Sequence, residues 1–201
     1  MRVALLLVTG LLLAGCVIAP PRPVAAPITW DARRSQLQAV TQFRLEGRLA
    51  AAVGQEGFSA SLIWVQRGSR SELDLRAPLG FGSALVTRDG ADIRLKSSRG
   101  QNLSGGKATE ELARRLGFEP PLDSLRYWVL GVPDPAHPEI ETPGEDASLA
   151  SLEQEGWRVE YAEYRVSSSG ALLFPMPRRL TLTRSGVRLR LVIDKWTLIT
   201  P

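Results

Sequence analysis

Two residues in this chain have side chains that often do chemistry, and each occurs once: Cys16 and His137. A histidine acting as a base needs a nucleophile within reach and a third group to orient it. His137 sits in Pro-Asp-Pro-Ala-His-Pro-Glu, residues 133–139, a proline-rich stretch that reads as loop. No Gly-x-Ser-x-Gly elbow, no His/Cys/Asp cluster at metal spacing and no glycine-rich phosphate loop accompanies it. Glu110 and Glu111 open a helical segment, where carboxylates suit the positive end of the helix dipole. The pattern argues against an enzyme, and neither a metal nor another cofactor is expected.

Cys16 has a different context. Arg2 is followed by an apolar run, Val3 to Ala14, too short to cross a bilayer but ordered as an export signal. The run ends Leu13-Ala14-Gly15-Cys16, small residues before the only thiol, and this resembles a bacterial lipobox. There the signal is cut before the cysteine, the thiol is diacylated and the new amine is acylated. The other reading is an export signal that merely contains a cysteine. The lipobox predicts a signal peptide at 1–15 and a lipid anchor at Cys16. A single cysteine also excludes an internal disulfide. Val17 stands where an aspartate would resemble an inner-membrane retention signal, so an anchor on the periplasmic face of the outer membrane is expected. Residues 16–28 then form the lipidated N-terminus and a Pro/Ala-rich tether, and 29–201 a single domain.

A third feature has no reactive atom. Residues 76–85, Arg-Ala-Pro-Leu-Gly-Phe-Gly-Ser-Ala-Leu, join two alternating runs. Pro78, Gly80 and Gly82 signal a turn, yet Leu79 and Phe81 sit inside it. A hairpin tip faces water, so a large apolar pair there either packs under a neighbouring loop or meets an apolar partner.

The surrounding elements must position these residues. Thr-Trp-Asp-Ala-Arg-Arg, from Thr29, predicts a short helix capped by Thr29. The period then becomes two, with Phe43, Leu45, Leu49, Ala51 and Val53 on one face and Arg44, Glu46 and Arg48 on the other. Asp89-Gly90, Glu155-Gly156 and Ser185-Gly186 mark further hairpins. Thr109 is expected to cap a second helix that stops at Gly117, and Leu122 to Gly131 predicts a third. Residues 133–147 read as loop. About ten strands and three helices result, as an antiparallel meander with one apolar face. A filled core and a barrel enclosing a ligand cavity both satisfy that pattern. The formal net charge of +4 comes from scattered arginines alternating with apolar residues, the wet face of a sheet, and no nucleic-acid partner is expected.

Several segments, in order, resemble the LolB family of outer-membrane lipoprotein receptors. They are Phe-Arg-Leu-Glu-Gly-Arg-Leu-Ala at 43–50, Ile-Trp-Val-Gln-Arg-Gly at 63–68, the Pro-Leu-Gly tip within 73–86, the Leu/Trp/Gly helix at 122–133, residues 152–164 and 174–184, and the closing Ile-Asp-Lys-Trp-Thr-Leu-Ile. The resemblance implies a mainly β fold with α: an incomplete antiparallel barrel of about eleven strands, three helices over its mouth and an apolar cavity inside. It implies a monomer that takes acylated lipoproteins from a LolA-type periplasmic carrier and passes them to outer-membrane lipid. The family's tip leucine, which acts in that last step, corresponds to Leu79, flanked by Pro78 and Gly80. Phe81 inherits no family role but could deepen the same contact. Cavity candidates are the large residues of the apolar faces: Phe43, Leu45, Phe58, Leu62, Trp64, Leu73, Leu75, Trp128, Trp157 and Tyr161. A structural or assembly lipoprotein that binds protein partners and transfers no lipid is the alternative.

Overall fold

Alternation of apolar and charged residues sets the architecture of the computed structural model, which describes residues 28–80, 82–166 and 175–198. In β1 (Gln42–Val53), Phe43, Leu45 and Ala51 are buried and the arginines between them lie on the other face. The chain returns in β2 (Glu56–Arg67) and continues through β3 (Arg70–Arg76), β4 (Ser83–Asp89), β5 (Asp92–Ser97) and the short β6 (Asn102–Ser104). A second meander follows the helices: β7 (Glu139–Pro143), β8 (Leu149–Gln154), β9 (Trp157–Val166), β10 (Pro175–Arg184) and β11 (Val187–Leu198). Both lie in one antiparallel sheet of eleven strands, ordered β6-β5-β4-β3-β2-β1-β11-β10-β9-β8-β7. No ladder joins β6 to β7 among the described residues, so the barrel is incomplete.

The first and last strands close the seam between the meanders. Their register runs from Phe43 opposite Leu198 to Val53 opposite Val187, with an irregularity at Glu46/Gly47. A Cβ on Gly47 would lie 2.2 Å from the Val192 carbonyl oxygen, so only glycine lets the strands meet at this bulge.

Helix α1 (Trp30–Gln38) is capped as expected: the Thr29 hydroxyl accepts from the Ala32 amide at 3.3 Å. Its Leu37 is fully buried. Arg34 pairs with Glu139 at 2.5 Å and Glu141 at 2.9 Å, fastening the helix to the edge strand β7. Helix α2 (Gly106–Leu116) begins three residues before the expected cap. Gly105, at φ 58°, turns the chain from β6 into the helix, and Thr109 lies inside it with its hydroxyl directed at the Gly105 carbonyl. Gly117, at φ 76°, ends it as expected.

Helix α3 (Leu122–Trp128) is fixed by one buried amide. The Gln154 carbonyl oxygen accepts from Trp128 Nε1 at 2.7 Å and from the Asp134 amide at 2.9 Å. Its nitrogen donates to the carbonyls of Asp134 and His137, both at 2.9 Å. From β9, the Tyr161 hydroxyl donates to the Trp128 carbonyl at 3.0 Å, and burial keeps this phenol neutral well above its usual range.

Two strands were not expected: β6, and β7 within the presumed loop 133–147. They are the two edges of the sheet. Edge strands are short and tolerate proline, so β7, bounded by Pro138 and Pro143, lacks an ordinary strand signature.

Gln154→Ala should remove the common partner of the Trp128 indole and the Asp134 backbone. Leaving buried polar groups unpaired costs about 1–3 kcal/mol each. Urea denaturation is expected to show a loss of about 3 kcal/mol, and a loss below about 0.5 kcal/mol would place α3's anchorage elsewhere.

Candidate functional site

The β3–β4 hairpin carries the outward feature. Its last paired residues are Arg76 and Ser83, and the Ala77 amide closes the loop onto the Gly82 carbonyl at 2.9 Å. Pro78 starts a single 3₁₀ turn, Pro78–Gly80. Leu79 adopts φ 55°, ψ 21°, a left-handed conformation, and its side chain is 92% exposed. A left-handed backbone is unusual for a bulky residue and disfavoured by roughly 1–2 kcal/mol. An apolar side chain is thus held in water on a strained backbone. Phe81 lies outside the described residues, as does Cys16.

The inward feature is an apolar pocket of about 70 Å³ on the concave side of the sheet. Pro120, Trp64, Val86 and eleven leucines line it. Strands β2 and β3 contribute Leu62, Trp64, Leu73 and Leu75, four of the sequence candidates. The C-terminal strands add Leu182, Leu189 and Leu191, and helices α2 and α3 close it with Leu112, Leu116, Leu122 and Leu125. Sequence reasoning had not singled out this second group for the cavity. The signals were present: period two along β10 and β11, and the i, i+4 pair Leu112/Leu116.

The remaining candidates lie elsewhere. Phe43 packs edge-on between Trp64 and Trp196, with ring centroids 5.6 and 5.5 Å away, and Leu45 is fully buried in the same core. Trp128 is held by Gln154, Trp157 stands edge-on to Phe118 at 5.7 Å, and Tyr161 backs α3. Phe58 lines a second, wider groove of about 280 Å³ that begins at the base of the hairpin. That groove shares Leu75, Leu112 and Leu116 with the inner pocket, so one apolar wall runs from the hairpin base to the interior.

The charged groups offer no comparable convergence. His137 is 3.4 Å from Glu155 and 4.0 Å from Asp134, whose carboxylate already accepts from the Ser124 hydroxyl and the Ala136 amide. On the outer face, arginines pair with carboxylates two positions away, as in Arg76–Asp74 at 2.7 Å and Arg158–Glu160 at 3.2 Å. Such exposed pairs contribute little to stability and keep the face hydrated. Among the described residues no group of His, Cys, Asp and Glu could hold a metal ion, and no helix is long and apolar enough to cross a membrane.

The family profile "Outer membrane lipoprotein LolB" matches residues 41–196. The outer-membrane lipoprotein LolB of Nitrosococcus oceani is 34% identical over 200 residues, 98% of each chain. That of Alkalilimnicola ehrlichii is 33% identical, covering 98% of this chain and 99% of its own. Among solved structures, a LolA superfamily protein from Nitrosomonas europaea aligns with a TM-score of 0.52 over 87% of this chain and 95% of its own, at 9% identity. A DUF1329 family protein from Desulfovibrio piger aligns with a TM-score of 0.54 over 84% and 91%, at 8% identity. These two likenesses show the fold alone, an open β shell covered by helices. The profile and the full-length relatives decide the rest: the chain belongs to the LolB family of outer-membrane lipoproteins and not to a family of enzymes.

Proposed function

We propose that this protein receives lipoproteins from a LolA-type periplasmic carrier and inserts them into the inner leaflet of the outer membrane, where its own lipid, on Cys16, holds it at the periplasmic face. The observation that carries the reading is Leu79, 92% exposed at the tip of a hairpin whose base opens onto the apolar groove.

The energetics divide the work between pocket and tip. Each acyl methylene left in water costs about 0.8 kcal/mol, so a long chain costs on the order of 10 kcal/mol and needs an apolar seat at every stop. Burying one leucine yields only about 1.5–3 kcal/mol. The tip therefore does not extract the cargo; it brings the mouth against hydrocarbon and lowers the barrier to exit. The pocket of about 70 Å³ is smaller than the roughly 150 Å³ that accommodates benzene, so cargo entry requires its walls to move apart. No nucleotide is needed if affinity rises along the route and ends in the bilayer. The small pocket also favours, as a second reading, an assembly lipoprotein that binds protein partners without lipid. Transfer of a lipoprotein from purified carrier to this protein decides between the two: no transfer removes the first.

Leu79→Glu is expected to fold and to accept cargo but to fail at delivery, because a carboxylate resists hydrocarbon by a few kcal/mol. Leu79→Asn sharpens the test. Asparagine tolerates the left-handed backbone, so this variant should melt no lower than wild type and still deliver poorly. Liposome incorporation from preloaded protein, with melting temperature alongside, is the measurement; wild-type incorporation by either variant sinks the membrane role of the tip.

Leu75→Glu places a charge on the wall shared by pocket and groove. It should weaken lipoprotein acceptance more than tenfold while the domain still melts cooperatively, since a charge on a half-buried wall can reach water. Loss of cooperative folding without a separate binding defect would mean a filled core. Cys16→Ala should abolish palmitate labelling and leave the domain folded; undiminished labelling would place the acyl group elsewhere.

A further inference from the structure

The groove at the hairpin base has a polar side that the cargo's lipid cannot use. Its floor includes Phe58, Ala60, Leu75 and Leu95, and its far rim is Ser97, Ser98 and Arg99. That rim is tied to the hairpin: the Ser83 amide donates to the Ser98 hydroxyl at 2.9 Å, and the Ser98 amide donates to the Ser83 carbonyl at 3.0 Å. Arg99 is exposed and makes no ion pair or side-chain hydrogen bond among the described residues. On the α2 side, Arg114 and Arg115 share a single carboxylate, Glu111, at 2.8 and 2.7 Å. This corner therefore keeps excess positive charge beside an apolar floor. The acylated cysteine of a lipoprotein carries neither phosphate nor charge, so its lipid has no group to match Arg99. A membrane phospholipid has both parts, an acyl chain and an anionic phosphate, in the order that the groove presents them.

We propose that this groove seats a phospholipid of the target membrane, with one acyl chain along the floor and the headgroup phosphate on Arg99. The proposal rests on the insertion reading above, because a hairpin tip that enters a bilayer brings the groove to its surface. The seated chain lies against Leu75, Leu112 and Leu116, the wall that the inner pocket shares. Cargo leaving the pocket then meets lipid before it meets water.

The test uses the full-length protein reconstituted into phosphatidylcholine vesicles with a trace of phosphatidylglycerol that carries a diazirine on one acyl chain. After illumination, crosslinks are expected in segments 58–60, 82–84 and 95–99. Arg99→Glu, an exposed turn substitution whose melting temperature should match wild type, is expected to reduce them about tenfold, as loss of one charge-assisted hydrogen bond does. Equal labelling of the two proteins overturns the proposal, and so does labelling confined to the hairpin tip. Lipoprotein uptake from the carrier, measured in the same preparation, separates the two readings. Groove labelling without uptake removes the transfer function and leaves the phospholipid seat; uptake without groove labelling does the reverse.

Discussion

A strongly curled sheet with an apolar concave face cannot leave that face to water, and everything above the sheet answers to this constraint. Eleven strands give more inner surface than three short helices fill tightly. The helices are not held alike. Helix α3 is bolted to β8 and β9 through Gln154 and Tyr161. Helix α2 has no side-chain N-cap and rests on Ala108, Leu112 and Leu116. Helix α2 is also clasped at the surface by Gln101, just before β6, which bonds both Glu111 and Arg115, so α3 is held by buried directional bonds and α2 by apolar contact beneath and exposed polar contacts above.

The hairpin shows how stability and use part company. Nothing in the fold needs a leucine at position 79. The backbone there prefers glycine or asparagine, and the side chain gains no burial from the domain itself. Residues that break local rules in this way cluster where a protein meets something outside itself. The inner pocket is the converse case: all its lining residues but Pro120 obey the period-two or helical pattern, so the fold itself accounts for them.

Much of this was legible in the sequence because one signal, alternation, reports both strand and face. Leu62, Trp64, Leu73 and Leu75 fell on the pocket side since period two fixes their direction. The same signal could not tell pocket from packed core. Phe43 and Trp64 share a face and touch, yet only Trp64 reaches the pocket, because curvature and helix placement decide which inward residues meet a void. The two edge strands were illegible for a local reason: β7 is framed by prolines, and β6 is too short to alternate. The start of α2 was misplaced because Thr109 advertises a cap more strongly than Gly105, although the backbone conformation at the glycine makes the turn. Arg99 carried no sequence signal, since its meaning comes from the groove beside it.

The seam between β1 and β11 bears on the order of folding. The first strand of the domain finds its second neighbour only in the last, roughly the whole domain away along the chain. Loop closure over that separation is slow compared with the local hairpins on either side. A meander formed before the seam closes exposes an unpaired central edge with alternating leucines, a template for pairing with another chain. The polypeptide consequently stays incompletely folded until its C-terminus is available. The interval before β11 docks is therefore the period when the chain is most prone to aggregate.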